Sequence, residues 1–126
     1  MHWTTVCILI AFVAVFYLLQ HAGRISTKAA KTHLKNGALI IDVRSPEEFR
    51  AGHLPKALNI PLDRIETALP SRVKDKNQVL LLHCRSGARS GVAKKKLQSL
   101  GYGNAFNLGS YDRAAGIAGE RRADSA

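Results

Sequence analysis

Acidic residues and cysteines are both scarce in this chain. Nine Asp and Glu stand against nineteen Lys and Arg, a net charge of +10, and the two cysteines are Cys7 and Cys84. Two thiols exclude the disulfide framework of a small secreted domain, and no Cys, His or carboxylate spacing suits a metal ion. Aromatic residues make up 6% of the chain. None is interleaved with the basic runs 72–76 and 94–96 as a stacking platform for bases, so no nucleic-acid partner is expected despite the charge. The glycine pattern of a nucleotide-binding loop is missing, and so are repeats and low-complexity tracts.

What is present divides into two parts. With 126 residues the chain has room for one domain of about 100 residues and a short additional segment. That segment is N-terminal: Trp3 through Leu19 carries no charged side chain and would span about 25 Å as a helix, the short end for crossing a bilayer. Trp3 and Tyr17 lie near its ends, where aromatic rings favour the membrane interface. A cleaved signal peptide fits less well, because no Lys or Arg precedes the run and Gln20-His21-Ala22-Gly23 makes a poor cleavage site. The expectation is a retained single-pass anchor over residues 1–22, spanning about 3–19. Arg24, Lys28, Lys31 and Lys35 follow the span while no basic residue precedes it, which places the following domain in the cytoplasm. Cys7 and Cys84 then lie on different sides of the membrane boundary and cannot pair. The basic surface of a tethered domain suits anionic lipid headgroups, at about 1 kcal/mol per close basic residue; a merely solvated basic face is the competing reading.

Residues 23–118 read as alternating short strands and helices. Arg24-Ile25 is a minimal strand, Ser26 an N-cap for a helix to about Lys35, and Asn36-Gly37 its end. Ala38–Ile41 is an apolar strand running into Asp42. Ser45-Pro46-Glu47-Glu48 is a helix start with a capping box, ending near Ala51-Gly52. Leu58–Ile60 is a strand, Asp63–Leu69 a helix stopped by Pro70, and Val79–Leu82 a buried strand ending at His83. A helix from Val92 to Leu100, a strand at Ala105–Leu108, a weakly defined helix after Gly109 and a polar, frayed tail over 119–126 complete the chain. Such alternation predicts an α/β domain, a small central parallel β-sheet with helices on both faces, preceded by one transmembrane helix.

The run His83-Cys84-Arg85-Ser86-Gly87-Ala88-Arg89-Ser90 joins a strand to a helix. That geometry points backbone N–H groups and a helix N-terminus at one spot, where a thiol is favoured as the nucleophilic thiolate. Arg85 and Arg89 add two cations, Gly87 lets the backbone curl, and the small Ser86, Ala88 and Ser90 keep the mouth open. Ligands of parallel sheets gather at the carboxyl ends of the strands, which brings Asp42-Val43-Arg44 to the same edge as Cys84.

Asp42-Val43-Arg44, Glu47-Glu48-Phe49, Gly52-His53-Leu54-Pro55, Ala57–Pro61 and Cys84–Arg89, in this order and spacing, resemble the rhodanese-like family over about residues 24–118. The resemblance implies a sulfurtransferase. Cys84 would take a sulfane sulfur from a small donor such as thiosulfate, hold it as a transient persulfide, and pass it to a thiol or cyanide acceptor. The N–H groups of Arg85, Ser86, Gly87, Ala88 and Arg89 would cradle that sulfur, Arg85 and Arg89 would draw an anionic donor, and Asp42 and Arg44 would brace the loop as an ion pair. No further cofactor is implied. His53 falls in the family's Gly-His-Leu/Ile-Pro turn and is expected to stabilise it, while His83 should face away from Cys84 if it lies in the strand. Two departures stand out. Lys56 occupies a turn position that is often glycine, a change of little expected consequence. Gly109-Ser110-Tyr111-Asp112 replaces a Gly-Gly-aromatic element followed by Trp, which weakens the packing expected of the last helix. A Cys-dependent phosphatase or arsenate reductase resembles Cys-x5-Arg, whereas Cys84-x4-Arg89 is one residue tighter and suits a single sulfur. A non-catalytic membrane-tethered adaptor is the remaining alternative.

Overall fold

Leu39–Asp42 (β1), Leu58–Asn59 (β2), Leu80–His83 (β3) and Ala105–Gly109 (β4) pair in parallel in the order β2-β1-β3-β4, in a computed structural model that describes residues 2–119. The helices are α1 (His2–Ala22), α2 (Thr27–Lys35), α3 (Pro46–Ala51), α4 (Ile65–Arg72), α5 (Ala88–Ser99) and α6 (Tyr111–Ala118). Side chains alternate across the strands, and the sheet separates two apolar clusters. Ile41, Leu80, Leu82 and Cys84 pack with Ile65 and Leu69 of α4 and Ala93 and Leu97 of α5. Ile40, Leu81 and Leu108 pack on the other face with Ala30 of α2 and Ala114 and Ile117 of α6. The expected parallel sheet with helices on both faces is the architecture found. Of the expected tail over 119–126, Gly119 is the C-cap of α6 and residues 120–126 lie outside the described residues.

The local signals hold where a side chain makes them. Ser26 Oγ accepts from the Ala29 N–H at 3.2 Å, and both halves of the Ser45–Glu48 capping box are present. Arg24 forms a lone parallel bridge with Asn107, and the Ile25 N–H donates to the Asn107 carbonyl at 2.9 Å, so the minimal first strand extends the sheet beyond β4. Arg113 of α6 clamps this edge by donating to the carbonyls of Leu108 and Ile25. The last helix is well seated without the missing Trp: Ser110 caps it, and Ala114, Ala115 and Ile117 are buried.

Three expectations change. The helix after β2 does not stop at Pro70 but follows a 3-10 turn at Leu62–Arg64 and runs on to Arg72. The carbonyl that proline deprives of its i+4 donor is that of Glu66, an exposed residue. The helix after β3 starts at Ala88 rather than Val92, because Gly87 takes the left-handed conformation at φ 97° and launches the helix from inside the loop. Lys56 is also not a neutral change: it sits at φ 65°, the one non-glycine residue at positive φ among the described residues, a conformation costing about 1 kcal/mol for a residue with a Cβ.

α1 is exposed over His2–Leu19 and is long and apolar enough, by length and composition, to cross a membrane.

Candidate active site

Cys84 is the first residue past β3, at the carboxyl edge of the sheet. The β3–β4 register slips there, so that His83 pairs with Gly109, and the Cys84 N–H donates to the Gly109 carbonyl at 3.2 Å. The chain then folds back on β4. Ser86 bridges Ser110, and Gly87 passes so close that an added Cβ would lie 3.3 Å from the Gly109 Cα. Glycine at 87 is thus needed twice, for its positive φ and for this approach. The curl aims its donors inward: the Gly87 N–H reaches the Cys84 sulfur at 3.0 Å and the Ser90 hydroxyl lies 3.6 Å from it.

Burial of the thiol pushes its pKa up, but the N–H and hydroxyl of Ser90 and the N–H groups of Gly87 and Ser86 outweigh it, so the pKa falls below the ordinary thiol value. These donors stabilise the anion more than the neutral form. The open mouth expected from small residues is not what forms at the sulfur. Cys84 is 0% exposed, and Ser90 is buried as part of its wall because α5 begins early; of the three small residues, Ser86 and Ala88 remain exposed. The Ser90 hydroxyl also lies 2.7 Å from Asn107 Oδ1 and 3.1 Å from the Gly87 carbonyl. Its single proton therefore has three acceptors, the sulfur among them.

The two loop arginines have different surroundings. Arg89 is gripped by Glu48 of α3 through two bonds of 2.6 and 2.9 Å, while Arg85 is exposed. The expectation that both draw an anion therefore rests on Arg85, since Glu48 offsets the charge of Arg89. The same Glu48 closes the capping box, so one carboxylate starts a helix and holds the loop. Its bond to Arg89 comes first, opposed by burial and helped by Ser45, in lowering its pKa from 4.5 to about 2. Because Glu48 ionises more readily in the fold than in the unfolded chain, its contribution is full above about pH 4.5 and is lost as the pH falls toward about 2. Glu48→Gln is expected to lower the unfolding midpoint near neutral pH, with the two curves converging in acid. Parallel curves down to pH 2 would show that the pair contributes nothing to stability.

Asp42 and Arg44 form the expected ion pair, buried, with Arg44 Nε and Nη2 on both carboxylate oxygens at 2.7–3.1 Å. It does not touch the sulfur. Arg44 Nη2 also donates to the Gly52 carbonyl at 2.8 Å, and its guanidinium lies 4.8 Å from the centre of the Tyr111 ring. The Tyr111 N–H donates to the Arg85 carbonyl at 3.3 Å. The pair thus reaches the loop through Tyr111. His83 faces away from the thiol, as expected, with its ring 5.8 Å from Tyr111 and Nε2 3.7 Å from Asp42 Oδ2; burial lowers its pKa. His53 bonds the Phe49 carbonyl through Nδ1 at 2.8 Å and stacks on the Phe49 ring, which secures the turn. No three of His, Cys, Asp and Glu cluster for a metal among the described residues.

Sequence reasoning gave Ser90 only as a small residue at the mouth and did not assign Glu48 or Asn107 to the site. Asn107 carried the one usable signal, a polar residue inside the apolar strand Ala-Phe-Asn-Leu, whose amide donates to the Gly87 carbonyl at 3.1 Å.

The chain is similar to known proteins. The rhodanese-like domain family matches residues 26–113. The thiosulfate sulfurtransferase PspE of Escherichia coli is 39% identical over 69 residues, 55% of this chain and 66% of that protein, so the chain spans just under two thirds of that relative's length. The thiosulfate:glutathione sulfurtransferase of Homo sapiens is 35% identical over 99 residues, 68% of this chain and 86% of that one. Among solved structures, a human single-domain sulfurtransferase superposes with a TM-score of 0.63 at 30% identity, covering 75% of this chain and 96% of that one. A rhodanese with anions from E. coli gives 0.59 at 35% identity, covering 61% and 91%.

Proposed function

The chain belongs to the rhodanese-like domain family, and on that footing we propose that it is a sulfurtransferase whose sulfur carrier is Cys84. The observation that supports this most is the cup of donors around one thiol, with the Gly87 N–H at 3.0 Å and the Ser90 hydroxyl at 3.6 Å from the sulfur. The relatives' names, thiosulfate and thiosulfate:glutathione sulfurtransferases, support the same chemistry.

In this reading the Cys84 thiolate attacks the sulfane sulfur of thiosulfate or of a small persulfide. A sulfur–sulfur bond forms to Cys84 while the donor's own sulfur–sulfur bond breaks, and sulfite or a thiolate leaves with the electron pair. An acceptor thiolate or cyanide then attacks the outer sulfur, the sulfur–sulfur bond to Cys84 breaks, and Cys84 leaves as thiolate, restored. No general base is called for, because the loop's donors favour the thiolate form of the nucleophile and the leaving groups depart as anions. The N–H groups of Ser86, Gly87 and Ser90 carry the negative charge that moves between the two sulfurs. Glu48 and Arg89 keep the loop in this shape, and exposed Arg85 offers a charge to an anionic donor. Sulfur transfer from thiosulfate to cyanide and to thiols, measured beside p-nitrophenyl phosphate hydrolysis, should show transfer and no hydrolysis. Hydrolysis alone would replace this assignment with a phosphatase.

The same proposal holds α1 to be a retained single-pass anchor. Its apolar length and the basic residues that follow it, Arg24, Lys28, Lys31 and Lys35, support a cytoplasmic domain. Protease added to right-side-out vesicles should leave the domain intact; digestion from outside would reverse the topology.

A further inference from the structure

A cleft of about 400 Å³ lies between the end of α1 and the first turns of α5. One wall is Leu19 and Gly23, the other Val92, Lys94 and Lys95, and the loop residues Ser86, Gly87 and Ala88 close one side. Arg24 completes a set of three cations, and no carboxylate lines the cleft, among the described residues. Lys94 Nζ lies 3.4 Å from the Gly23 carbonyl, which ties the turn after α1 to α5. The cleft thus combines these cations with apolar lining that includes Leu19 and the half-exposed Val92. Neither the sulfur chemistry nor the packing of the core calls on Lys94 or Lys95.

We propose that this cleft binds the headgroup of an anionic phospholipid. The inference rests on the reading of α1 as a membrane anchor. Leu19 is the last residue of the membrane-length run His2–Leu19, so the cleft begins where the apolar run ends, at the depth of the headgroups. There the phosphate of an anionic lipid meets Arg24, Lys94 and Lys95, while its glycerol and first methylenes meet Leu19 and Val92. Because Ser86–Ala88 form a side of the cleft, a bound headgroup touches the outer surface of the Cys84 loop. The domain is thereby docked with its reactive edge beside the membrane rather than swinging on a linker.

The test uses the full chain in nanodiscs of phosphatidylcholine alone or with phosphatidylglycerol, released for native mass spectrometry. The wild type should retain one phosphatidylglycerol and no phosphatidylcholine. Lys94→Gln/Lys95→Gln should retain it about thirtyfold more weakly, from roughly tenfold per two-thirds of the interaction lost at two basic contacts. Arg72→Gln/Lys74→Gln removes the same charge elsewhere and should retain lipid like the wild type. Thermal unfolding checks that both variants are folded, and hydrogen exchange at 86–95 should slow with phosphatidylglycerol but not with soluble glycerol phosphate. Equal loss in both charge variants would mean a diffuse basic surface and overturn the site. Slowing by glycerol phosphate as strong as by lipid would make the ligand a free phosphate and overturn the lipid. A mature chain lacking α1 by intact mass would remove the anchor and this proposal with it. Sulfur loading of Cys84 in detergent is independent of lipid, so its failure would count against the sulfurtransferase reading alone.

Discussion

Cys84→Ser leaves the protein folded and lowers sulfur transfer by more than about 10³-fold, in keeping with removal of a covalent nucleophile. The substitution changes one atom within a buried cup. The Gly87 N–H that reaches the sulfur at 3.0 Å finds an oxygen acceptor in its place, so stability moves little. Chemistry is another matter. A serine hydroxyl is not ionised near neutral pH, and it forms no bond to sulfur that a thiol can later reopen. Side-by-side rates of the two proteins in thiosulfate:thiol transfer, with unfolding midpoints as control, give the result. Transfer within tenfold of the wild type would mean that sulfur travels by another route.

Asp42→Asn has the largest expected effect on stability, about 3 kcal/mol or more, because it strands a buried arginine. Asp42 is 0% and Arg44 8% exposed, and the carboxylate takes the Arg44 N–H as well as its guanidinium, with Oδ1 3.0 Å from the backbone nitrogen. That loss is a large share of the roughly 5–15 kcal/mol that holds a domain together. The pair reaches the loop through Tyr111 and does not touch the sulfur, so transfer activity is expected to fall with the folded fraction rather than ahead of it. Asp42→Asn/Arg44→Met removes the stranded charge and should recover part of the loss. Denaturant unfolding of the full chain in detergent reads all three proteins. A single-variant cost below about 1 kcal/mol would class the pair with solvent-screened surface bridges.

Much of the fold was legible because its signals are local. Apolar runs such as Val79–Leu82 mark buried parallel strands, and Ser26 and Ser45 announce helices by side chains that bond three residues on. The thiol was legible for the same reason, since a strand, a glycine loop and a helix follow one another in the chain. What escaped depends on contacts between distant segments. The start of α5 at Ala88 requires Gly87 to lie against Gly109, 22 positions away by residue number. The grip of Glu48 on Arg89 joins residues 41 apart, and Glu48 already had a sufficient local explanation as a capping residue. Ser90 looked like a small rim residue until the early start of α5 turned it into the wall of the thiol site. Lys56 shows the converse: a substitution in a turn looks harmless in sequence, and the backbone carries its cost at φ 65°.

The loop closes around the buried thiol of Cys84, and the proposal makes that thiol the carrier of one sulfur atom. The most direct test is mass spectrometry of the intact protein after treatment with thiosulfate, followed by peptide mapping. The account predicts one added sulfur atom on the peptide containing Cys84 and none on Cys7. That sulfur should be removed by cyanide or a thiol and be absent from Cys84→Ser. An adduct elsewhere, or none with thiosulfate, glutathione persulfide or a desulfurase persulfide, would contradict it.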